Sequence, residues 1–217
     1  MTRMHAKRKN ILYLAIVVIF AVLVVAGFLN GAAEESMQQQ ITVTLDTTVE
    51  VRDNQLLIHY KIENQLSEPI YLVNRVSRWT RTGFSIDPSL VYTEIVNNTL
   101  RLTKAYIDVP ENIDVEAPEV PFLTEVAGGS QFEECISQAL PLEPYHPYNQ
   151  VKRSEAVRMF ESVQLAIGWL PSENISVRTV TKPEGLTLLS ANYLEVAREQ
   201  QLLVSNLNVK VSTHIQD

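Results

Sequence analysis

The chain has 217 residues, 46% of them hydrophobic, a single cysteine and a formal net charge of −7, a length that allows one sizeable domain or two small ones. The charge is segregated: Arg3, Lys7, Arg8 and Lys9 stand before residue 31 and the first acidic residue is Glu34, so everything beyond residue 30 carries 14 basic against 25 acidic side chains. A body that acidic repels phosphate backbones and anionic headgroups, which argues against a nucleic-acid partner, and one cysteine excludes an intrachain disulfide.

Residues 1–10 read as a short cytoplasmic tail. Ile11 to Leu29 follow as 19 consecutive uncharged residues, which as a helix span about 28 Å, the thickness of a bilayer core. Secretory signals carry shorter apolar stretches, so the length favours an uncleaved transmembrane anchor over 11–30, although Gly31 and Ala33 offer a small-x-small site at which a signal peptidase could cut. Four basic residues precede the run and none follows before Arg52; the amino end then stays cytoplasmic and the body is exported, a single-pass protein of a bacterial inner membrane or, after cleavage, a secreted or periplasmic one. Residues 31–40 form a tether.

From residue 41 the apolar pattern alternates. "ITVTLDTTVEVRDNQLLIHYKIEN" predicts two antiparallel strands turning at Asp53-Asn54, with Val51 facing Leu56, Val49 facing Ile58 and Leu45 facing Ile62, and with Thr44, Thr48, Glu50, His59 and Lys61 on a wet face. "SEPIYLVNRVSRW" adds a strand near 70–76 that begins at a proline. "SLVYTEIVNNTLRLTKAYI" predicts a second hairpin turning at Asn97-Asn98, with Ile95 opposite Leu100 and Glu94 opposite Arg101.

The proline- and acid-rich stretch after Ile107 reads as an extended connection, and strand resumes at "SQFEECISQALPL". There Cys135 is expected to be a small buried hydrophobe, and Glu133 and Glu134 point to opposite faces, an arrangement unable to share a proton as a catalytic dyad does. Ser154 could cap a short helix over 154–160, running into a strand over 162–169 in which Val163, Leu165, Ile167 and Trp169 alternate. "QQLLVSNLNVKVS" predicts a last strand with Leu203, Leu207, Val209 and Val211 on one face.

This succession of strands, with phrases such as "HYKIENQLSEPIYL", resembles the immunoglobulin-like sandwiches of exported bacterial proteins over residues 41–213, without the Cys-Trp-Cys framework of antibody domains. The expected fold is therefore mainly β: one amino-terminal transmembrane helix, then an antiparallel immunoglobulin-like β-sandwich with one short helix.

Chemistry is sparse. The histidines at 5, 59, 146 and 214 are not spaced as metal ligands on one element, no G-x-S-x-G stretch occurs, and no glycine-rich phosphate loop is present. No catalytic, cofactor or metal residue is assigned. The loop "LPLEPYHPYNQ" holds the candidate interaction residues Tyr145, His146 and Tyr148, since tyrosine offers apolar area with a hydrogen-bonding tip. The expectation is a non-catalytic binding or envelope-assembly module, held to the membrane by residues 11–29 and recognising a protein partner of the cell envelope. The alternatives are a periplasmic lipid or glycolipid carrier and a hydrolase using His146.

Overall fold

The computed structural model of the protein describes residues 42–80, 83–148, 156–182 and 185–214. The expected tail, membrane segment and tether lie outside them. Among the described residues no helix is long and apolar enough to cross a membrane.

β1 (Val43–Arg52) and β2 (Gln55–Asn64) pair antiparallel in the register the alternation predicts, Val51 opposite Leu56, Val49 opposite Ile58 and Leu45 opposite Ile62. Asp53 and Asn54 have φ of 51° and 63°, the two left-handed residues that a type I′ turn requires. β3 (Ile70–Arg75), β4 (Ser77–Thr80) and β5 (Gly83–Ile86) follow. Then β6 (Tyr92–Val96) and β7 (Thr99–Lys104) form the second expected hairpin, with Ile95 opposite Leu100 and Glu94 opposite Arg101; its turn residues Asn97 and Asn98 also lie at positive φ, 49° and 66°. The chain continues through β8 (Phe122–Val126), β9 (Gln131–Ala139), β10 (Val157–Phe160), β11 (Val163–Pro171), β12 (Arg178–Thr181), β13 (Thr187–Ser190), helix α1 (Tyr193–Glu199), β14 (Gln201–Leu207) and β15 (Val211–His214).

The protein is mainly β. One sheet has the order β1-β2-β9 and a larger one the order β12-β13-β8-β3-β11-β7-β6, with β14 also paired to β11. The two share a core in which Leu56, Ile58 and Ile62 of β2 and Ile136 of β9 meet Leu72 of β3, Leu100 and Leu102 of β7 and Leu165 and Ile167 of β11. β11 organises the larger sheet, running parallel to β7 and antiparallel to β14 and β3. Its Val163, Leu165, Ile167 and Trp169 enter the shared core, while Leu170 on the other face joins Val73, Tyr106, Leu123, Ala191 and Val196 of α1 in a second cluster. Gly168 is required there: a Cβ would stand 2.9 Å from that of Ala105 and 2.5 Å from Gln200 Oε1, an oxygen that accepts the Tyr106 amide at 2.8 Å.

Four expectations are corrected. Residues 157–160 form β10 rather than a helix, because they pair with β15, Val157 opposite His214 through Phe160 opposite Val211; residues 154 and 155 lie outside the described set. The short helix is α1 instead, which hydrophobic spacing could not reveal because only Val196 is buried; its marker is Asn192, whose side chain accepts the Leu194 amide at 2.9 Å. The expected last strand is two, β14 on β11 and β15 on β10, and the β7–β11 pair is parallel, so the sheets are not wholly antiparallel. Finally, Cys135 is half-buried rather than enclosed, since it stands opposite His59 on the outward side of β9.

Candidate functional site

Among the described residues β6 is an edge strand, the last in the larger sheet. In a hairpin closed by a two-residue turn, the pair flanking the turn is hydrogen-bonded and the phase alternates from there. Val96 and Glu94 therefore bond across to β7, while Ile95 and Thr93 direct their backbone groups away from it. Thr93 confirms the phase, its amide donating outward to the Tyr145 carbonyl at 2.7 Å. The chain around Tyr145 thus supplies a single backbone rung along this edge among the described residues. A cleft of about 380 Å³ opens beyond it, with Ile95, Val96, Leu100 and Pro144 as its apolar wall and Glu94, His146, Thr213 and His214 as its polar one.

The three loop residues play different parts. Tyr145 is an anchor: its hydroxyl donates to the Ser77 carbonyl at 3.1 Å, and its ring stacks on Tyr92 with centroids 5.6 Å apart, against the buried side chains of Val76 and Leu90. Burial, with the Glu119 charge adding, pushes its phenol up to about 12. Tyr148 is a second anchor, accepting the Glu119 amide at 2.9 Å, and the Glu119 carboxyl, raised above the usual range by burial, accepts from the Tyr92 hydroxyl at 3.3 Å. Only His146 of the three lines the cleft.

His146 Nδ1 accepts the Tyr148 amide at 3.2 Å, which assigns the neutral ring's proton to Nε2. Burial lowers the imidazole below its usual pKa, partly countered by Glu94. A hydrolytic relay needs the reverse tautomer, with Nδ1–H held by a carboxylate and Nε2 left to take a hydroxyl proton. The Glu94 carboxylate instead accepts from Thr103 Oγ1 at 3.4 Å. The arrangement suits recognition by an Nε2–H donor. On the far rim His214 Nε2 lies 3.9 Å from Glu143 Oε1.

Sequence reading found His146 but not its company. Glu94 was legible as the cross-strand partner of Arg101, and Ile95 as that of Leu100. That these face a histidine some fifty residues on, and another in β15, depends on where β6 and β15 lie in the assembled sheets, and no local pattern records it. Among the described residues, no group of three or more His, Cys, Asp or Glu side chains is placed to hold a metal ion. Searches with the chain against protein-family models, curated proteins and solved structures returned no match.

Proposed function

We propose that the protein is a membrane-tethered, exported binding module whose β-domain, an immunoglobulin-like sandwich, receives an extended segment of an envelope partner along the β6 edge. The observation that carries this reading is the unfinished rung: β6 presents the backbone of Ile95 to a cleft whose first strand position is already filled by Tyr145. An added strand gains main-chain hydrogen bonds there, and the side-chain pockets beside it supply selectivity. Glu94 lines the cleft beside its apolar wall, so the fitting segment carries an apolar residue for the Ile95–Leu100 wall and a lysine or arginine beside it. The interior between the two sheets is occupied by the side chains of the shared core, which favours this reading over carriage of a lipid. The tether rests on the apolar run Ile11–Leu29 and the basic residues before it.

Ile95→Pro tests the site. Proline removes an amide that faces away from β7, a substitution an edge strand tolerates. With a photocrosslinking residue at position 96 of the full-length chain in cells, the expected result is a discrete protein adduct, lost in the Ile95→Pro background while far-ultraviolet circular dichroism stays unchanged. An adduct that persists with proline at 95 overturns the edge-strand mode. Recovery of the chain with its Met1 end in the membrane fraction supports the tether, and a mature soluble chain starting near Glu34 removes it.

A further inference from the structure

The outward face of the three-stranded sheet holds a second grouping, unrelated to the β6 cleft. His59 on β2 and Cys135 on β9 are directly opposed across the strand pair, and Cys135 Sγ lies 3.7 Å from His59 Nε2. The pair sits in a shallow open depression of about 560 Å³, flanked by Thr48, Lys61 and Glu133. His59 is exposed and Cys135 half-buried, and both line the depression.

A tetrahedral zinc ion bound by one thiolate at about 2.3 Å and one imidazole nitrogen at about 2.0–2.1 Å holds those two donors about 3.6 Å apart. The observed separation matches that span with the backbone as it stands. The opposition is fixed by a ladder of nine consecutive residue pairs from Gln55–Ala139 to Glu63–Gln131, so neither ligand is carried on a loop that must order on binding. The chemistry of the donors, one soft sulfur and one imidazole, selects thiophilic ions of the zinc class over calcium or magnesium, which take oxygen. The nearby carboxylate of Glu63 is engaged by Lys61 at 2.6 Å, and Asp46 lies 3.9 Å from the same amine.

We propose that His59 and Cys135 form a bidentate site for a thiophilic divalent cation, Zn2+ or a metal of its class, with the outward coordination positions taken by water. Binding replaces the thiol proton by the metal: the S–H bond breaks, an S–metal bond forms, the neutral imidazole adds its Nε2 lone pair, and one proton is released to solvent per ion bound.

The test uses the reduced full-length chain in detergent with Co2+ as a spectroscopic probe and Zn2+ as competitor. The expected result is a cobalt–thiolate charge-transfer band that saturates with added Co2+, is abolished by Zn2+, and vanishes in Cys135→Ser. The discriminating variant is His59→Ala, which is expected to weaken the apparent association at least about tenfold, because loss of even an outer-shell partner costs a metal site 10–100-fold. Lys61→Ala, which removes no ligand, retains the band. A band of unchanged affinity in His59→Ala, or no band in the parent chain, overturns the proposal. Unfolding curves of each variant without metal verify that a lost band reports lost ligation.

Discussion

At the scale of single residues, His146 shows how a loop fixes the tautomer of a side chain that lines a cleft. Its ring is held edge-on to Tyr148, centroids 6.1 Å apart, and Nδ1 is committed to the backbone, so its remaining polarity is that of an Nε2–H donor. Burial lowers its pKa from the ordinary histidine value, and the sign of the linked stability follows. Between the lowered value and about 6.5 the unfolded chain binds a proton that the folded chain does not, so stability is in full above about 6.5 and falls as pH drops through the folded value. A titration of the His146 ring resonances is expected to show a midpoint below 6.5. His146→Gln is expected to flatten the pH dependence of unfolding in that same interval, and a midpoint above 6.5 would contradict the burial of the ring beside the cleft.

Among the elements, the two β-hairpins and the mixed-period segment after residue 154 mark what a sequence can and cannot disclose. Alternation and an Asx-rich turn are local, and both hairpins formed in their expected registers because a one-residue slip would turn every core side chain outward. Asp53 isolates the turn's contribution, since it is exposed and its ion pair with Arg52, at 3.6 Å, is open to solvent. Asp53→Val is expected to cost about 1–2 kcal/mol in chemical denaturation, because a β-branched side chain resists left-handed backbone, while Asp53→Gly leaves stability unchanged or slightly raised. Equal effects of the two would mean that the turn is not what sets the register. Residues 157–160 failed as a reading for the opposite reason. Val157, Phe160 and Val163 carry helical spacing by coincidence: the first two belong to β10, which is dictated by β15, half a hundred residues away, and Val163 begins β11. β12 and β13 leave no trace in the sequence because segments as short and polar as "RTVT" contain no alternation, and Cys135 is core-like by residue type while its strand's phase turns it outward.

For the molecule as a whole, the two sheets are joined by a polar cluster as well as by apolar packing. Glu134 uses both oxygens inward: Oε2 accepts from Lys104 Nζ at 2.5 Å and from the Tyr60 hydroxyl at 2.7 Å, and Oε1 from Arg75 at 2.9 Å. Lys104 is fully buried and also donates to the Pro88 carbonyl; burial pulls its amine below the usual lysine range while Glu134 opposes the shift. Such a cluster is costly to break halfway, because removing one partner strands a buried charge. Lys104→Met is expected to destabilise by about 3–5 kcal/mol, and Lys104→Met with Glu134→Gln is expected to be at least about 1 kcal/mol more stable than the sum of the single variants, a coupling read from a double-mutant cycle in urea. Strict additivity would show that the two side chains do not act as a unit.

The position of β11 along the chain has a temporal consequence. Synthesis from the amino end delivers β1 to β9 before the strand that β3, β7 and β14 lean on, and the β10–β15 pair waits longer still. Until then β7 lacks its parallel neighbour, and the layer that β2 and β9 close upon, with Leu72 of β3 and Leu100 and Leu102 of β7 in place, lacks Leu165 and Ile167 of its central strand. Folding is thereby made late and cooperative, governed by contacts of high sequence separation, and the nascent domain exposes unpaired strand edges for as long as its central strand is still to be made.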